Sequence, residues 1–296
     1  MPPEGWLVTV RPDGWCTSDG VATDSTLPAH RHRALLLRRE AIGDFEDPGP
    51  RPLPDPDPLM RWGRPALLPL SSVMRVQTDE PVLSLTYDDG PHPEQTPELL
   101  DVLAEFGARA TFFVLTDAVE AHPEIVHRTL AEGHEIALHG IDHARLTAVP
   151  GREALRRIRT GKRRLEAVTG RPTRFYRPTY GALGLTVAGG SRALGLDVVI
   201  WSAWARDWAD GPVQEIADRA IGALHPGAIV LLHDRTDDAE AEAAGALPTF
   251  SRAEVTRRIL TAMRAGGYTS VPVGELVDRH RVVRSVTVQR PRVLRR

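Results

Sequence analysis

The 296-residue chain has a single cysteine, Cys16, so no intrachain disulfide framework supports its fold. That scarcity fits a reducing compartment. Aromatic residues are few, at 5%, and the net charge of −2 carries no basic excess of the kind nucleic-acid binding asks for. No apolar run approaches ~18 residues, so no membrane span is expected. The start, Met-Pro-Pro-Glu-Gly-Trp, lacks the basic, apolar and small-residue segments of a secretion leader, which gives a cytoplasmic expectation.

Proline, by contrast, is crowded into one place. From Asp47 to Pro58 it occupies nearly every second position, a pattern that neither donates to a sheet nor continues a helix. Composition shifts near residue 80. The reading is an N-terminal extension over 1–79, a main domain over 80–277 and a basic tail over 278–296. Trp6–Val10 and Ala34–Leu37 read as short strands of the extension, and V-V-R-S-V-T-V-Q from Val282 reads as a terminal edge strand.

Between the flanks, apolar β-rich runs alternate with amphipathic stretches. Strands are predicted at Val82–Asp88, Ala110–Leu115, Glu135–His139, Arg174–Arg177, Asp197–Trp201, Ala228–His233 and Tyr268–Val273. Helices are predicted at Glu94–Phe106, Ala118–Glu132, Arg152–Val168, Leu185–Leu194, Val213–Leu224 and Ala253–Ala265. Gly133, Gly170, Gly195 and Gly267 fall where left-handed caps belong. This alternation argues for an α/β fold, a parallel barrel of the (β/α) kind.

A buried parallel strand should be apolar throughout, so polar residues at its end need a reason. Asp88 and Asp89 end the first predicted strand, His139 the third and Arg177 the fourth. Asp207 follows the fifth, and His233 with Asp234 ends the sixth. Any one of these could be an ordinary solvated loop residue. Five strand ends carrying such side chains, all on the face where (β/α) barrels build active sites, point to a functional site. His139 and His143 are four apart, a spacing that surface helices also show by chance. A carboxylate at a neighbouring strand end would complete a two-His, one-carboxylate set with open coordination positions. Paired aspartates suit a division of labour, one binding the cation and the other acting as a base toward water.

These residues sit in motifs that resemble the polysaccharide deacetylase family, the NodB-homology domain of carbohydrate esterase family 4. T-Y-D-D-G-P (Thr86–Pro91), H-G-I-D-H (His139–His143), R-F-Y-R-P-T-Y-G (Arg174–Gly181), A-R-D-W (Ala205–Trp208) and L-L-H (Leu231–His233) follow in the family's order across residues 80–277. The resemblance implies a distorted (β/α)7-type barrel. It implies metal-dependent hydrolysis of an N-acetyl amide on an amino sugar, with Zn2+, or Co2+ in its place, held by Asp89, His139 and His143. It further implies Asp88 as general base paired with Arg177, and His233 as general acid tuned by Asp207. The Tyr180 backbone N–H would serve the oxyanion, and Trp208 and Leu231 would wall the acetyl pocket. Two departures stand out. Gly140 replaces the usual Ser or Thr, and Trp204 stands where many members carry an aspartate, either as packing or as a cover for the cleft.

The remaining histidines have plainer readings. His30, His32, His122, His127 and His225 read as surface or loop residues, and His134 as structural. The acidic stretch Asp237–Glu242 reads as a solvated loop. The partner expected is a carbohydrate or small glycoconjugate substrate. A deacylase acting on a small natural-product or nucleotide-sugar intermediate, and a catalytically silent sugar-binding relative, stand as alternatives.

Overall fold

The computed structural model describes residues 35–39, 64–236 and 247–287. The segments Trp6–Val10, Asp47–Pro58 and Asp237–Glu242, with Cys16, His30 and His32, lie outside the described residues. The first described strand, β1, is Leu35–Arg39, and β2 is Ser72–Gln77. There follow β3 (Val82–Asp88), α1 (Gln95–Phe106), β4 (Ala110–Leu115), α2 (Thr116–Ala121) and α3 (Pro123–Ala131). Next come β5 (Glu135–Gly140), α4 (Gly151–Thr169), β6 (Phe175–Tyr176), α5 (Leu185–Ala193), β7 (Asp197–Val198) and β8 (Ala203–Trp204). The chain continues with α6 (Val213–Gly222), β9 (Ile229–His233), α7 (Arg252–Ala265), β10 (Thr269–Ser270), α8 (Val273–Arg279) and β11 (Arg281–Thr287).

The main sheet is parallel and runs β7-β6-β5-β4-β3-β9-β8, with β10 pairing to the base of β3. Its central strand β3 is V-L-S-L-T-Y-D and is buried along its whole length, as expected for a strand covered on both faces. β2 joins β7, one end of this path, to β9, the strand next to its other end. Ile200 N–H donates to Val73 O at 2.8 Å beyond β7, and Val76 N–H donates to Gly227 O at 2.9 Å before β9. The sheet thereby curls into the expected distorted barrel. Leu99, Leu100 and Leu103 of α1 pack into its core together with Tyr87 and Phe112, whose rings stack at 5.1 Å.

Several elements differ from expectation. Of the strand predicted over Asp197–Trp201 only β7 forms, and the next strand, β8, starts two residues beyond Trp201 and occupies the opposite end of the sheet path. The second helix breaks at His122-Pro123, because Pro123 has no N–H to continue it. The last predicted strand is only two residues long, and Val273 begins a helix instead. The C-terminal strand is not an edge strand: β11 lies in the middle of a second sheet, antiparallel to β2 and parallel to β1. It is anchored there by Arg284, 7% exposed, which ion-pairs with Asp197 of β7. His225 is buried too. Burial pushes it down to about 4 and keeps it neutral, so Nδ1–H donates to Pro226 O and Nε2 accepts from the Ser202 hydroxyl at 3.1 Å. His134 is buried and accepts the Ala110 N–H at 3.1 Å, a structural role. The four glycines expected to cap helices all take left-handed φ, between 65° and 83°. No helix among the described residues is long and apolar enough to cross a membrane.

Candidate active site

The polar strand ends converge. Asp88 closes β3 and lies in register with His233, the last residue of the neighbouring β9. Asp89 follows in the left-handed region at φ 78°, which turns its side chain away from the direction Asp88 takes. β5 brings His139, and the loop after it brings His143. The ligand atoms of Asp89, His139 and His143 lie within 4.8 Å of one another. Asp89 Oδ1 is 3.2 Å from His139 Nε2 and 3.4 Å from His143 Nε2. Burial works against the Asp89 charge, yet the neighbouring imidazoles of His139, His143 and His233 hold this carboxyl well below its ordinary range.

The donor chemistry suits a cation. His139 Nδ1 lies 2.8 Å from the Arg177 carbonyl oxygen, which can only accept, so Nδ1 carries the proton. In the neutral ring the Nε2 lone pair then faces the Asp89 carboxylate oxygen. A buried lone pair and an anion facing each other need a positive charge between them, and a divalent metal ion would supply it.

Asp88 is held on the other side. Arg177 Nη1 donates to Asp88 Oδ1 at 2.6 Å and to Thr86 Oγ1 at 2.8 Å. Arg177 is fully buried, its guanidinium carbon 4.0 Å from the centre of the Phe113 ring. Burial lowers the Arg177 pKa while the Asp88 charge raises it, the ordinary economy of a buried pair that would be costly to break from one side.

Across the site, His233 Nδ1–H donates to Asp207 Oδ1 at 2.8 Å, and the His233 backbone N–H donates to Asp207 Oδ2 at 2.7 Å. Burial disfavours the imidazolium, but the Asp207 charge and hydrogen bond, with Asp89 and Asp88 behind them, outweigh it and raise His233 to about 9. Asp207 does not cap the next helix; the residue preceding α6 is Pro212, without a side-chain cap. Trp208 meets His233 edge-on at 5.9 Å, and Leu231 is buried beneath. Tyr180 adopts φ 59° in the turn after β6, its ring 4.2 Å from that of His143.

Both departures from the expected motifs have local explanations. A Cβ on Gly140 would come within 2.7 Å of the Asp142 carbonyl oxygen, so this turn has no room for the usual hydroxyl residue. Trp204 is 3% exposed, within the core. The structure also adds Arg252, which sequence reasoning passed over, and gives Asp234 its partners. Arg252, from α7, donates to Asp207 Oδ2 at 3.2 Å and to His233 O at 3.0 Å. Asp234 accepts the Thr96 hydroxyl at 2.6 Å, and its backbone N–H donates to Asp88 O at 3.3 Å. Burial lifts Asp234 to about 7.

Comparison with known proteins agrees with this geometry. Residues 75–199 match the polysaccharide deacetylase family. A chitooligosaccharide deacetylase of Sinorhizobium fredii is 39% identical over 166 residues, 56% of this chain and 77% of that protein. The chain belongs to the polysaccharide deacetylase family. A peptidoglycan-N-acetylglucosamine deacetylase of Bacillus cereus is 33% identical to this family member, over 68% of the chain and 91% of that protein. Among solved structures, a peptidoglycan deacetylase of Bacillus subtilis superposes with a TM-score of 0.58 at 30% identity, covering 69% of this chain and 93% of that one.

Proposed function

We propose that this polysaccharide deacetylase is a metal-dependent amide hydrolase that removes acetate from an N-acetylated amino sugar within an oligosaccharide or glycoconjugate. The observation that carries the reading is one cluster: a metal-ligand triad flanked by the Asp88–Arg177 pair on one side and the Asp207–His233 pair on the other. Asp89, His139 and His143 would hold one divalent ion, zinc by preference and cobalt as a working substitute. The ion, when bound, polarises the acetamide carbonyl and makes a neighbouring water easier to deprotonate.

The rest falls to the chain. Asp88 takes the proton of the attacking water, and Arg177 holds it in place. Tyr180 offers its backbone N–H to the developing oxyanion from a left-handed turn whose geometry is set before substrate arrives. An amine cannot leave as an anion near neutral pH. His233, raised to about 9 and with Nδ1–H committed to Asp207, gives its Nε2 proton to the departing nitrogen. Trp208 and Leu231 form the wall against which the acetyl methyl rests.

The test is acetate release from chito-oligosaccharides by purified protein, before and after chelation and after zinc is returned. Release that depends on zinc, and that disappears in His139→Ala along with bound metal, is the expected result. Stoichiometric metal in His139→Ala would refute the ligand assignment, and chelator-insensitive release would refute the metal dependence.

A further inference from the structure

We propose that Arg145 and Tyr180 form a cationic platform beside the reaction centre that selects an amino sugar carrying an anionic substituent, a carboxylate or a phosphate. The inference rests on the deacetylase reading above and names its substrate more narrowly.

Two loops build the platform. Arg145 follows β5, two residues beyond the metal-ligand His143, and Tyr180 follows β6. The buried Thr179 hydroxyl donates to Ala144 O at 2.7 Å and fastens the two loops to each other beside these residues. The Arg145 guanidinium carbon lies 4.1 Å from the centre of the Tyr180 ring, and that ring lies 4.2 Å from the ring of His143. The positive charge therefore stands one aromatic ring away from a ligand imidazole.

The charge is available for use. The nearest acid in sequence, Asp142, is already taken by Arg157. Arg156 and Arg164 likewise have carboxylate partners, whereas Arg145 is exposed and has none among the described residues. A guanidinium resting over a ring occupies its flat face and leaves its N–H edge for a carboxylate or phosphate, which it fits in bidentate fashion. Tyr180 is 40% exposed, and it and Leu185 are the exposed large apolar side chains among the described residues. Tyr180 lies between β6 and α5, and Leu185 is the first residue of α5. An exposed ring next to an unspent cation suits a ligand with an apolar sugar face and a negative edge.

The test compares kcat/KM for acetate release from chitobiose, from a disaccharide containing N-acetylmuramic acid, and from N-acetylglucosamine 1-phosphate. Wild-type protein is expected to prefer one acidic substrate over the neutral one. Arg145→Gln should lower that preference about fivefold, the upper scale of an exposed ion pair. The preference should shrink as salt rises, and Arg145→Lys should recover part of it. Which acidic substrate is preferred separates a carboxylate source from a phosphate source. Absence of any acidic preference, or a preference that survives Arg145→Gln, overturns the proposal. If none of the three substrates releases acetate, the deacetylase reading fails. The platform is then judged separately by calorimetric titration of the two acidic sugars into Asp88→Asn protein. Affinity lowered by adding Arg145→Gln supports the platform, and unchanged affinity rejects it.

Discussion

Asp207→Asn is the substitution that separates tuning from scaffolding. Asp207 accepts two hydrogen bonds from His233, one from the ring and one from the backbone, and a third from Arg252. An asparagine in its place has only one oxygen for these three donors. With that oxygen turned to the His233 N–H and Arg252, its amide faces Nδ1, which must then accept and give up its proton. The imidazolium loses its nearest counter-charge while burial still opposes the more distant Asp89 and Asp88 charges, so His233 should fall from about 9 toward its ordinary 6.5. A shift of that size corresponds to roughly 3 kcal/mol of differential stabilisation of the charged ring.

Catalysis by an acid of this kind persists until the acid deprotonates. The alkaline limb of kcat against pH should therefore stand at or somewhat below 9 in wild type, since a divalent ion in the site repels the imidazolium. In Asp207→Asn it should move down by about two units, with kcat at neutral pH reduced ~100-fold, within the range of lost general-acid catalysis. Stability gives an independent reading. A histidine raised in the folded state adds stability that is fully present below about 6.5 and is lost as pH rises through about 9. The melting-temperature deficit of the variant should thus be largest near pH 6 and shrink toward pH 10. An unmoved alkaline limb, with a deficit equal at every pH, would show that Asp207 only holds the loop.

Asp88→Asn should keep stoichiometric metal while losing about 10²–10⁴ in kcat, because the base must ionise and coordination is assigned to Asp89, and it should melt lower because the buried Arg177 loses its counter-charge; near-normal turnover would contradict the separation of roles. Gly90→Ala should cost about 2 kcal/mol in urea unfolding, since its Cβ would fall 2.0 Å from the buried Asp234 carboxylate; an unchanged midpoint would mean that the turn after Asp89 yields freely. A chain beginning at Leu70 should fold and keep activity. One beginning at Glu80 should not fold, because it lacks β2, whose Val73 and Val76 are buried in the barrel core; soluble, cooperative melting of the shorter chain would refute a structural role for β2.

The site was legible in the sequence to the extent that each strand carries its own evidence. β3 and β4 were found end to end because a continuous apolar run closed by polar residues is a local signal, visible without knowing the neighbouring strand. β2 gave no such signal. S-V-M-R-V-Q mixes polar and apolar residues, and its burial comes from partners more than a hundred residues away, at Val199 and Ala228. The same distinction holds among the side chains of the site. Asp88, Asp89, His139 and His143 sit in short motifs at strand ends. Arg252 instead reaches Asp207 from the first turn of a helix 45 residues further along, among other arginines that face solvent. Asp234 lay in view beside His233, but its function as a brace depends on Thr96 and on the close approach of Gly90. Such supports are defined by what converges on them, and a linear pattern records only what each segment does alone. Because Arg252 binds both Asp207 and the His233 carbonyl, the placement of the proposed acid against its carboxylate draws on three elements, β9, the loop after β8 and α7. Packing of α7 against the barrel therefore helps fix how Asp207 meets His233.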